Sequence, residues 1–586
     1  MKSLLKLIPY LKRYKKTLAF GVLTVILSNL FYILMPHYIG KVMDEIVLSA
    51  KNKIVDKTIF INYAMLIVGF AVAGGYMTYL TRQTIIVVSR KIEFDLRNDF
   101  LEHIQKLPMS FFQHTSTGDL MARATNDIAS VRNVLGPGIM YPVDTLLTLI
   151  FALGIMLTKD WSLTLYSLIP LPLVSIAVFR IGKSIHKKYT QRQEQFSQLT
   201  TAAQENFSGI RIIKAFAREK FEIGQFKNLS LKYMNKNLEL AKIQSLMWPL
   251  MFLLVGISLL IVIYFGGLKV IRGEITIGTL SALISYLLML IWPMIAIGWV
   301  TNILQQGAAS MQRLINNFET IPEIRDTEKT DKSIKSISGK IEFKNVSFTH
   351  LNAVKPSLKN INLQISEGVT VAIIGPTGSG KSTLVNLIPR LFDSSEGEIL
   401  INGKNIKEIP LEILRKNIGY VTQETFLFSE TIKENINYGL DFLDIELIKE
   451  AAEISQISKD MADFPQDYET LIGERGITLS GGQKQRTSIA RAILRKPKIL
   501  ILDDALSSVD TETEEAILVR LKILMRERTS LIISHRVSTV KDADIIIVLK
   551  DGEIFERGTH KELILQNGYY TDLYNKQLLE KELESL

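Results

Sequence analysis

Six long stretches of this sequence carry almost no charged side chains, and they constrain the fold more than any other feature. Each is about 20 residues or longer, which is the length that an α-helix needs to cross a lipid bilayer. A single stretch of this kind could be a buried helix of a soluble protein, but six in series predict six transmembrane helices. The stretches are residues 17–40, 58–81, 136–158, 161–179, 243–268 and 275–312.

The charge distribution favours a membrane partner over a nucleic acid. The net charge is +10, but the early basic residues flank the apolar stretches, as expected beside an anionic membrane surface. The cationic residues 1–16 predict a cytoplasmic N-terminus, and six crossings return the chain to the cytoplasm. We therefore expect a multi-pass protein of the cell inner or plasma membrane with both termini cytoplasmic. The chain contains no cysteine, which excludes disulfides and thiolate metal sites.

Two connections between the apolar stretches are long and charged. Residues 82–135 and 180–242 have helical patterns, and as hairpins they would form arms that extend roughly 40 Å beyond the bilayer. Gly118 and Gly209 suit sharp turns, so the tips are predicted at residues 117–123 and 206–211. Such arms are either solvated helical pairs or elements that transmit force to the membrane region.

The C-terminal part of the chain has a different pattern. Short β-rich runs alternate with helices, which predicts one α/β domain with a helical subdomain. The predicted organisation is a transmembrane domain at residues 1–320, a linker at 321–338 and the α/β domain at 339–586.

The strongest motif in the α/β part is GPTGSGKS at residues 375–382, which matches the phosphate-binding loop pattern GxxxxGK[ST]. It follows an apolar strand and precedes a helix, as the motif requires. The glycines let several backbone N–H groups face one phosphate chain, and Lys381 adds positive charge near the β- and γ-phosphates. The predicted ATP-binding residues of this loop are Gly375, Thr377, Gly378, Ser379, Gly380, Lys381, Ser382 and Thr383.

A second apolar strand, residues 499–502, ends in Asp503. A carboxylate at the end of a strand beside a phosphate loop is placed to hold Mg²⁺ together with the Ser382 hydroxyl. Four apolar residues and an aspartate are weak alone, but beside the phosphate loop they predict a Mg²⁺ ligand.

The sequence LSGGQ at residues 479–483 opens a predicted helix. A serine and two glycines at a helix start expose a hydroxyl group, backbone donors and the positive end of the helix dipole, so they can bind an anion. The alternative is an ordinary serine N-cap followed by flexible glycines. The candidate anion-binding residues of this segment are Ser480, Gly481, Gly482 and Gln483.

LSGGQ, GPTGSGKST, ILILDD and the histidine of IISHR together resemble the nucleotide-binding domain of ABC transporters. Six spans before this domain resemble a bacterial ABC exporter half-transporter. The resemblance implies ATP and Mg²⁺ as cofactors and a second half-transporter as partner. It also implies that two ATP molecules lie between two such domains, each between one chain's phosphate loop and the other chain's LSGGQ.

The resemblance also assigns three further residues. Gln423, in VTQETF, resembles the glutamine that contacts Mg²⁺ and faces the membrane domain. His535, in IISHR, stands at the catalytic histidine position, and Asp504 stands at the position of the general base.

Two positions depart from the family pattern. The family usually has glutamate where this chain has Asp504, and an adenine-stacking aromatic residue where it has His350. Both positions serve the same ATP site, while LSGGQ is intact. The pattern resembles the degenerate-site subunit of heterodimeric multidrug exporters. The alternative is a homodimer that tolerates aspartate.

The leading hypothesis for function is ATP-driven export of hydrophobic or amphipathic small molecules by a heterodimer. The alternatives are a homodimeric lipid or peptide exporter and a nucleotide-gated channel. Asp144 lies inside a predicted span and is a candidate functional residue. Candidate cavity residues, which could equally pack between helices, are Met289, Trp292, Met294 and Trp299.

Overall fold

The computed structural model describes residues 2–351, 353–473 and 476–584, and the chain divides into two compact units. A helical unit comprises Met1–Ile104 and Gly118–Glu319. An α/β unit comprises Gln105–Thr117 and Thr320–Leu586. A segment of the first predicted arm is therefore part of the α/β unit.

The N-terminal half of the chain is built from helices, including two π-helical turns at Arg82–Ile86 and Arg123–Asp127. The helix bounds, after a 3-10 helix at Lys2–Leu7, are Ile8–Arg13, Lys15–Asn52, Lys57–Thr81, Val87–Gln105, Thr117–Ala122, Ile128–Leu135, Pro137–Lys159, Trp161–Leu168, Leu171–Ser208, Ile210–Ala215, Glu219–Ile271, Ile277–Met289 and Ile291–Phe318.

Five helical segments are long and apolar enough to cross a membrane among the residues described. They contain five of the six predicted spans. The exception is the predicted span 161–179, which is divided between Trp161–Leu168 and the start of Leu171–Ser208. The division falls at Pro170, whose ring removes a backbone donor. The side chains of residues 171–175 and 177–179 are outside the described part. The five segments are Lys15–Asn52, Lys57–Gln105, Thr117–Lys159, Glu219–Ile271 and Ile277–Phe318.

The helices run well past their apolar parts. Lys57–Gln105 is helical over 49 residues and Glu219–Ile271 over 53. A helix of about 50 residues is roughly 75 Å long, whereas the hydrocarbon core of a bilayer is about 30 Å thick. The excess length agrees with the predicted arms.

The tip predicted for the first arm is misplaced. Gly118 lies inside the helix Thr117–Ala122, and the helical run breaks earlier, on either side of the short helix Met109–His114. Pro108 has an extended backbone (ψ 161°) and cannot continue the preceding helix. In the second arm, Gly209 separates two helices at the predicted position.

Small residues allow the first span to approach the helix Ile277–Met289 closely. A Cβ added to Gly278 would lie 2.0 Å from the Gly40 carbonyl oxygen. Nearby, the buried Tyr286 hydroxyl donates to the Ile33 carbonyl oxygen at 2.9 Å. Close backbone approach at small residues is a common way to pack helices in a membrane.

The α/β unit contains two sheets. One has four strands in the order β2-β1-β4-β5, and the other has six in the order β10-β9-β3-β8-β7-β6. In the second sheet only β10 pairs antiparallel to its neighbour. The strands are β1 Ile341–Phe348, β2 Leu358–Ile365, β3 Thr370–Ile374, β4 Glu396–Ile401, β5 Lys404–Asn405, β6 Ile418–Val421, β7 Ile499–Asp503, β8 Thr529–Ile533, β9 Ile545–Lys550 and β10 Glu553–Gly558.

Several helices of the α/β unit pack against the second sheet, because one core cluster joins Ile432, Ile448 and Ile489 of the helices to Leu500 and Leu502 of β7. This arrangement confirms the predicted fold class. The helix bounds, with two 3-10 helices, are Met109–His114, Lys381–Asn386, Leu411–Lys416, Ile432–Asn437, Ile445–Ile454, Ile457–Asp463, Asp467–Glu469, Gly481–Leu494, Thr511–Met525, Val537–Val540, His560–Gln566 and Tyr569–Glu584.

Candidate nucleotide-binding site

The strand order brings the predicted motifs to one edge of the larger sheet. β8 lies between β3 and β7, and all three are parallel and completely buried. Ile533 of β8 pairs with both Ile373 and Asp503. Because parallel strands end at the same edge, the phosphate loop, the aspartates and His535 meet there.

The phosphate loop depends on glycine at two tight positions. Gly375 has φ 147°, and a Cβ there would lie 2.0 Å from the Leu549 carbonyl oxygen. Gly380 has φ 97°, and its Cβ would lie 2.5 Å from the Ser357 carbonyl oxygen. Any larger residue would therefore distort the loop at these positions.

Lys381 is buried and is held by the loop that it follows. Its Nζ donates to the carbonyl oxygens of Gly375 and Pro376, both at 2.9 Å. Burial lowers the pKa of the Lys381 ammonium, and the carboxylates of Asp503 and Asp504 oppose that shift. Two of the three N–H groups are thus used within the loop, which leaves one for a ligand.

The two predicted metal ligands on this edge are already in contact. The Ser382 hydroxyl donates to Asp503 Oδ1 at 3.1 Å. Asp503 is buried, and burial raises the pKa of its carboxyl group, although the hydrogen bond from Ser382 lowers it. A hydroxyl and a carboxylate are the oxygen ligands that Mg²⁺ prefers.

Most of the predicted site residues line a cleft of about 310 Å³. Two lining residues, Ser357 and Ile533, were not predicted from the sequence. Ser357 precedes β2 in the other sheet, and no motif marks it. The predicted residues that line the cleft are Thr377, Gly378, Ser379, Gly380, Lys381, Ser382, Thr383, Gln423, Asp503, Asp504 and His535.

Asp504 has a left-handed backbone, with φ 50°. Aspartate and asparagine tolerate this conformation better than other residues with a side chain. Its N–H donates to the Ile533 carbonyl oxygen at 3.0 Å. This hydrogen bond holds the backbone of residue 504. How far the side chain at this position extends into the cleft therefore depends on its length.

His350 is not among the residues that line this cleft. Its ring packs edge-on against Phe348 and Phe392, with ring centroids 4.8 and 5.6 Å apart. Burial lowers the pKa of the imidazole, which favours the neutral ring. A neutral aromatic ring can stack on a base, so the contacts are compatible with the predicted role at the adenine.

The LSGGQ segment also lies outside the cleft, and it opens the helix Gly481–Leu494. Ser480 caps that helix: its hydroxyl accepts from Gln483 N at 3.3 Å, and Gln483 Oε1 accepts from Ser480 N at 2.9 Å. The Gln483 amide also donates to Asp460 at 2.9 Å. The Ser480 and Gly481 positions are exposed, so this rigid helix start is open to a partner.

Gln485 connects the same helix to the segment that follows Asp504. Its Nε2 donates to Ser507 Oγ at 2.9 Å, and its Oε1 accepts from Ser508 N at 2.9 Å. The same Nε2 is 3.4 Å from the Asp504 carbonyl oxygen. Gln485 is buried, so these bonds join two parts of the predicted catalytic machinery rigidly.

The cleft fits a phosphate chain. Ser379 Oγ is buried and has no hydrogen-bond partner among the described residues. Leaving a buried hydroxyl group unpaired costs roughly 1–3 kcal/mol, which a phosphate oxygen can offset. Apart from its two chain neighbours, nothing lies within 4 Å of where a Cβ of Gly378 would stand, so the loop is open at this position.

A phosphate-loop ATPase site with a separate LSGGQ helix, on a chain with membrane-spanning helices, defines the ABC transporter class. The family described as "ABC transporter transmembrane region" matches residues 18–294, and "ABC transporter" matches residues 358–507. The chain belongs to the ABC transporter family, as the motifs predicted. It is a half-transporter with a membrane domain fused to an ATP-binding domain, and that domain is an ATPase coupled to transport.

Three relatives match over nearly their whole length. Multidrug resistance-like ATP-binding protein MdlA of Buchnera aphidicola subsp. Schizaphis graminum is 39% identical over 98% of both chains. Probable multidrug resistance ABC transporter ATP-binding/permease protein YheI of Bacillus subtilis is 36% identical over 97% of both. ATP-dependent lipid A-core flippase of Syntrophus aciditrophicus is 38% identical over 96% of this chain and 91% of its own.

A solved structure shows the same fold. The structure of a bacterial Atm1-family ABC exporter with ATP bound superposes with a TM-score of 0.79 at 25% sequence identity. The match covers 96% of this chain and 98% of the other.

The first prediction concerns Lys381. Lys381→Ala should weaken ATP binding at this chain's site roughly tenfold to hundredfold, because it removes a charge-assisted hydrogen bond to the phosphates. Titration with a fluorescent ATP analogue measures the loss. The matched control is Lys561→Ala, which removes an exposed lysine far along the chain. Equal affinity in the Lys381 and Lys561 variants would contradict the assignment.

Proposed function

We propose that this chain exports hydrophobic or amphipathic compounds across the cell membrane at the expense of ATP. The observation that carries the proposal is the full-length similarity to multidrug resistance-like proteins, which spans 97–98% of each chain. In this proposal the membrane-spanning helices form the transport pathway, and hydrolysis of ATP bound in the cleft drives transport. Both termini lie in the cytoplasm in this proposal, because ATP and the basic N-terminal residues are there.

The second candidate is lipid transport by a homodimer. The 38% identity to a lipid A-core flippase supports it, since that relative also matches nearly the whole chain. Lipids are themselves amphipathic, so the two candidates differ in the cargo and in the partner rather than in the mechanism.

The working unit is a dimer in which each ATP lies between the phosphate loop of one chain and the LSGGQ of the other. Two features support a heterodimer. Asp504 and His350 depart from the family pattern at the site built on this chain's phosphate loop, whereas the LSGGQ helix start keeps its sequence and its Ser480 cap. The partner half-transporter would supply a glutamate base for the site that this chain's LSGGQ completes.

The proposal assigns roles to residues of the cleft and of the LSGGQ segment. Ser382, Gln423 and Asp503 would hold Mg²⁺, which neutralises charge on the phosphates. Asp504 accepts a proton from the attacking water, and His535 positions the terminal phosphate. Ser480 to Gln483 act on ATP bound to the partner. The proposed domains are residues 1–320 and 339–586, joined by a linker at 321–338.

The second prediction tests transport directly. Inside-out vesicles that contain the assembled transporter should accumulate a hydrophobic fluorescent dye when ATP is added, because the pathway opens in response to ATP binding and hydrolysis. Vesicles with the Lys381→Ala variant should not. Dye fluorescence measures accumulation, and a fluorescent phospholipid analogue measures lipid movement in parallel.

The outcomes separate the candidates. Accumulation of the dye without lipid movement supports export of small molecules, and lipid movement alone supports the flippase. An ATP-dependent ion current without accumulation of either compound would refute both and would indicate a nucleotide-gated channel.

A further inference from the structure

Three aromatic rings form a cluster on two helices of the helical unit. Tyr141 makes edge contacts with Trp292 and Trp299, with ring centroids 6.3 and 4.9 Å apart. Trp292 is 50% exposed and Trp299 is 42% exposed, although both lie in a predicted span. Edge contacts leave ring faces open to a ligand. The other candidate cavity residues, Met289 and Met294, pack against the core of the unit instead.

A carboxylate stands one helical turn from Tyr141 on the same helix. Residues three apart lie on one helix face, so Asp144 shares a helix face with Tyr141 of the ring cluster. Asp144 Oδ1 accepts a hydrogen bond from Asn29 Nδ2 at 2.8 Å. The Thr148 hydroxyl donates to Asn29 Oδ1 at 2.6 Å, which fixes the orientation of the Asn29 amide. The carboxylate is therefore held by one neutral side chain, Asn29, whose orientation Thr148 fixes.

The charge of Asp144 has no protein counter-ion in the part of the chain that the structure describes. Asp160, at the end of the same helix, differs in this respect because Lys269 pairs with it at 2.6 Å. A carboxylate inside a membrane span is costly unless a positive charge or water compensates it. A bound cation would supply the positive charge that Asp144 lacks.

We propose that Tyr141, Asp144, Trp292 and Trp299 bind the cationic group and the aromatic body of amphipathic organic cations. This assignment names the substrate class of the export proposed above and rests on that proposal. The positive charge pairs with Asp144, and the ring faces add cation–π and apolar contacts. A neutral compound of similar shape keeps the apolar contacts and loses the charge pairing.

The test compares two probes of similar shape in the full-length transporter in lipid nanodiscs. Tetraphenylphosphonium is a permanent cation without hydrogen-bonding groups, and triphenylphosphine oxide is neutral. Asp144→Asn should raise the Kd of the cation at least about tenfold, because it removes the carboxylate that pairs with the cation, and should change the Kd of the neutral probe less than about threefold. Equilibrium dialysis measures both constants.

Three further variants act as controls. Asp144→Glu keeps the charge and should restore most of the affinity for the cation. Trp299→Leu should weaken binding of both probes, because it removes ring surface common to both. Trp161→Leu removes a tryptophan that is 70% exposed on a different helix and should change neither.

The inference is overturned if Asp144→Asn leaves the Kd of tetraphenylphosphonium unchanged, if it weakens both probes equally, or if the unmodified transporter binds neither. A different result would contradict the proposed export: no hydrophobic dye, whatever its charge, would accumulate in the vesicles when ATP is added. If only the present inference is wrong, dyes still accumulate but cations are not preferred.

Discussion

Gly482→Glu should reduce ATP hydrolysis by the assembled dimer at least about a hundredfold, comparable to the loss of a transition-state donor. A Cβ on Gly482 would already lie 3.0 Å from the Ser508 carbonyl oxygen, so a larger side chain must displace the segment after Asp504. The added carboxylate would also repel phosphate at the start of a helix, where the backbone favours anions. Steady-state ATPase rates at saturating ATP measure the effect.

The informative comparison is with Asp504→Asn, which should lower the ATPase rate less than about tenfold. Asp504 is the base of a site that, in the proposed heterodimer, already hydrolyses ATP slowly. Ser480→Ala should also lower the ATPase rate, as Gly482→Glu does, because it removes the helix cap and a hydroxyl donor. Gly224→Glu is the control, since it adds a carboxylate at an open, exposed position of another helix. If Asp504→Asn abolished activity while Ser480→Ala spared it, the degenerate-site proposal would be wrong.

The second large effect is expected from Asp504→Glu in the chain expressed without a partner. Aspartate is one methylene shorter than glutamate, so its carboxylate falls about 1.5 Å short of the position of a glutamate base, and a misplacement near 1 Å can cost about a hundredfold in rate. The variant should therefore raise ATP hydrolysis by roughly two orders of magnitude, or about 2.7 kcal/mol on the barrier. Activity per assembled dimer is the quantity to compare.

The backbone conformation at Asp504 works against the expected gain in activity. Its φ of 50° suits aspartate better than glutamate, so the longer residue adds some strain to the loop. The N–H bond to Ile533 holds the backbone at this position. A gain in activity despite that strain would support the importance of side-chain reach. Brisk hydrolysis by the unmodified lone chain would refute the heterodimer.

Residues whose roles depend on local geometry were predictable from the sequence. The phosphate loop is one, because Gly375 and Gly380 need a backbone that only glycine adopts easily, and Lys381 follows at a fixed spacing. Asp503 was predictable because it ends an apolar strand. Each of these lies in the cleft or supports it.

Residues whose roles depend on tertiary pairing were not predictable. Ser357 reaches the phosphate loop from the other sheet, and nothing near it in sequence marks that contact. The break in the first arm was assigned to Gly118, but the helix already ends at Gln105, shortly before Pro108. Asp144 could be recognised as unusual, whereas its contact with Asn29, which is 115 residues away, required the structure.

The hydrogen bonds of Gln485 have a consequence for how the transporter responds to ATP. One amide side chain holds the helix that begins with LSGGQ and the segment that carries Asp504. In the proposed dimer the first of these serves the partner's nucleotide and the second serves this chain's own. We therefore expect a displacement at one site of this proposed dimer to reach the other through a buried side chain. Hydrolysis would then depend on whether both sites hold a nucleotide, not on the occupancy of one site alone.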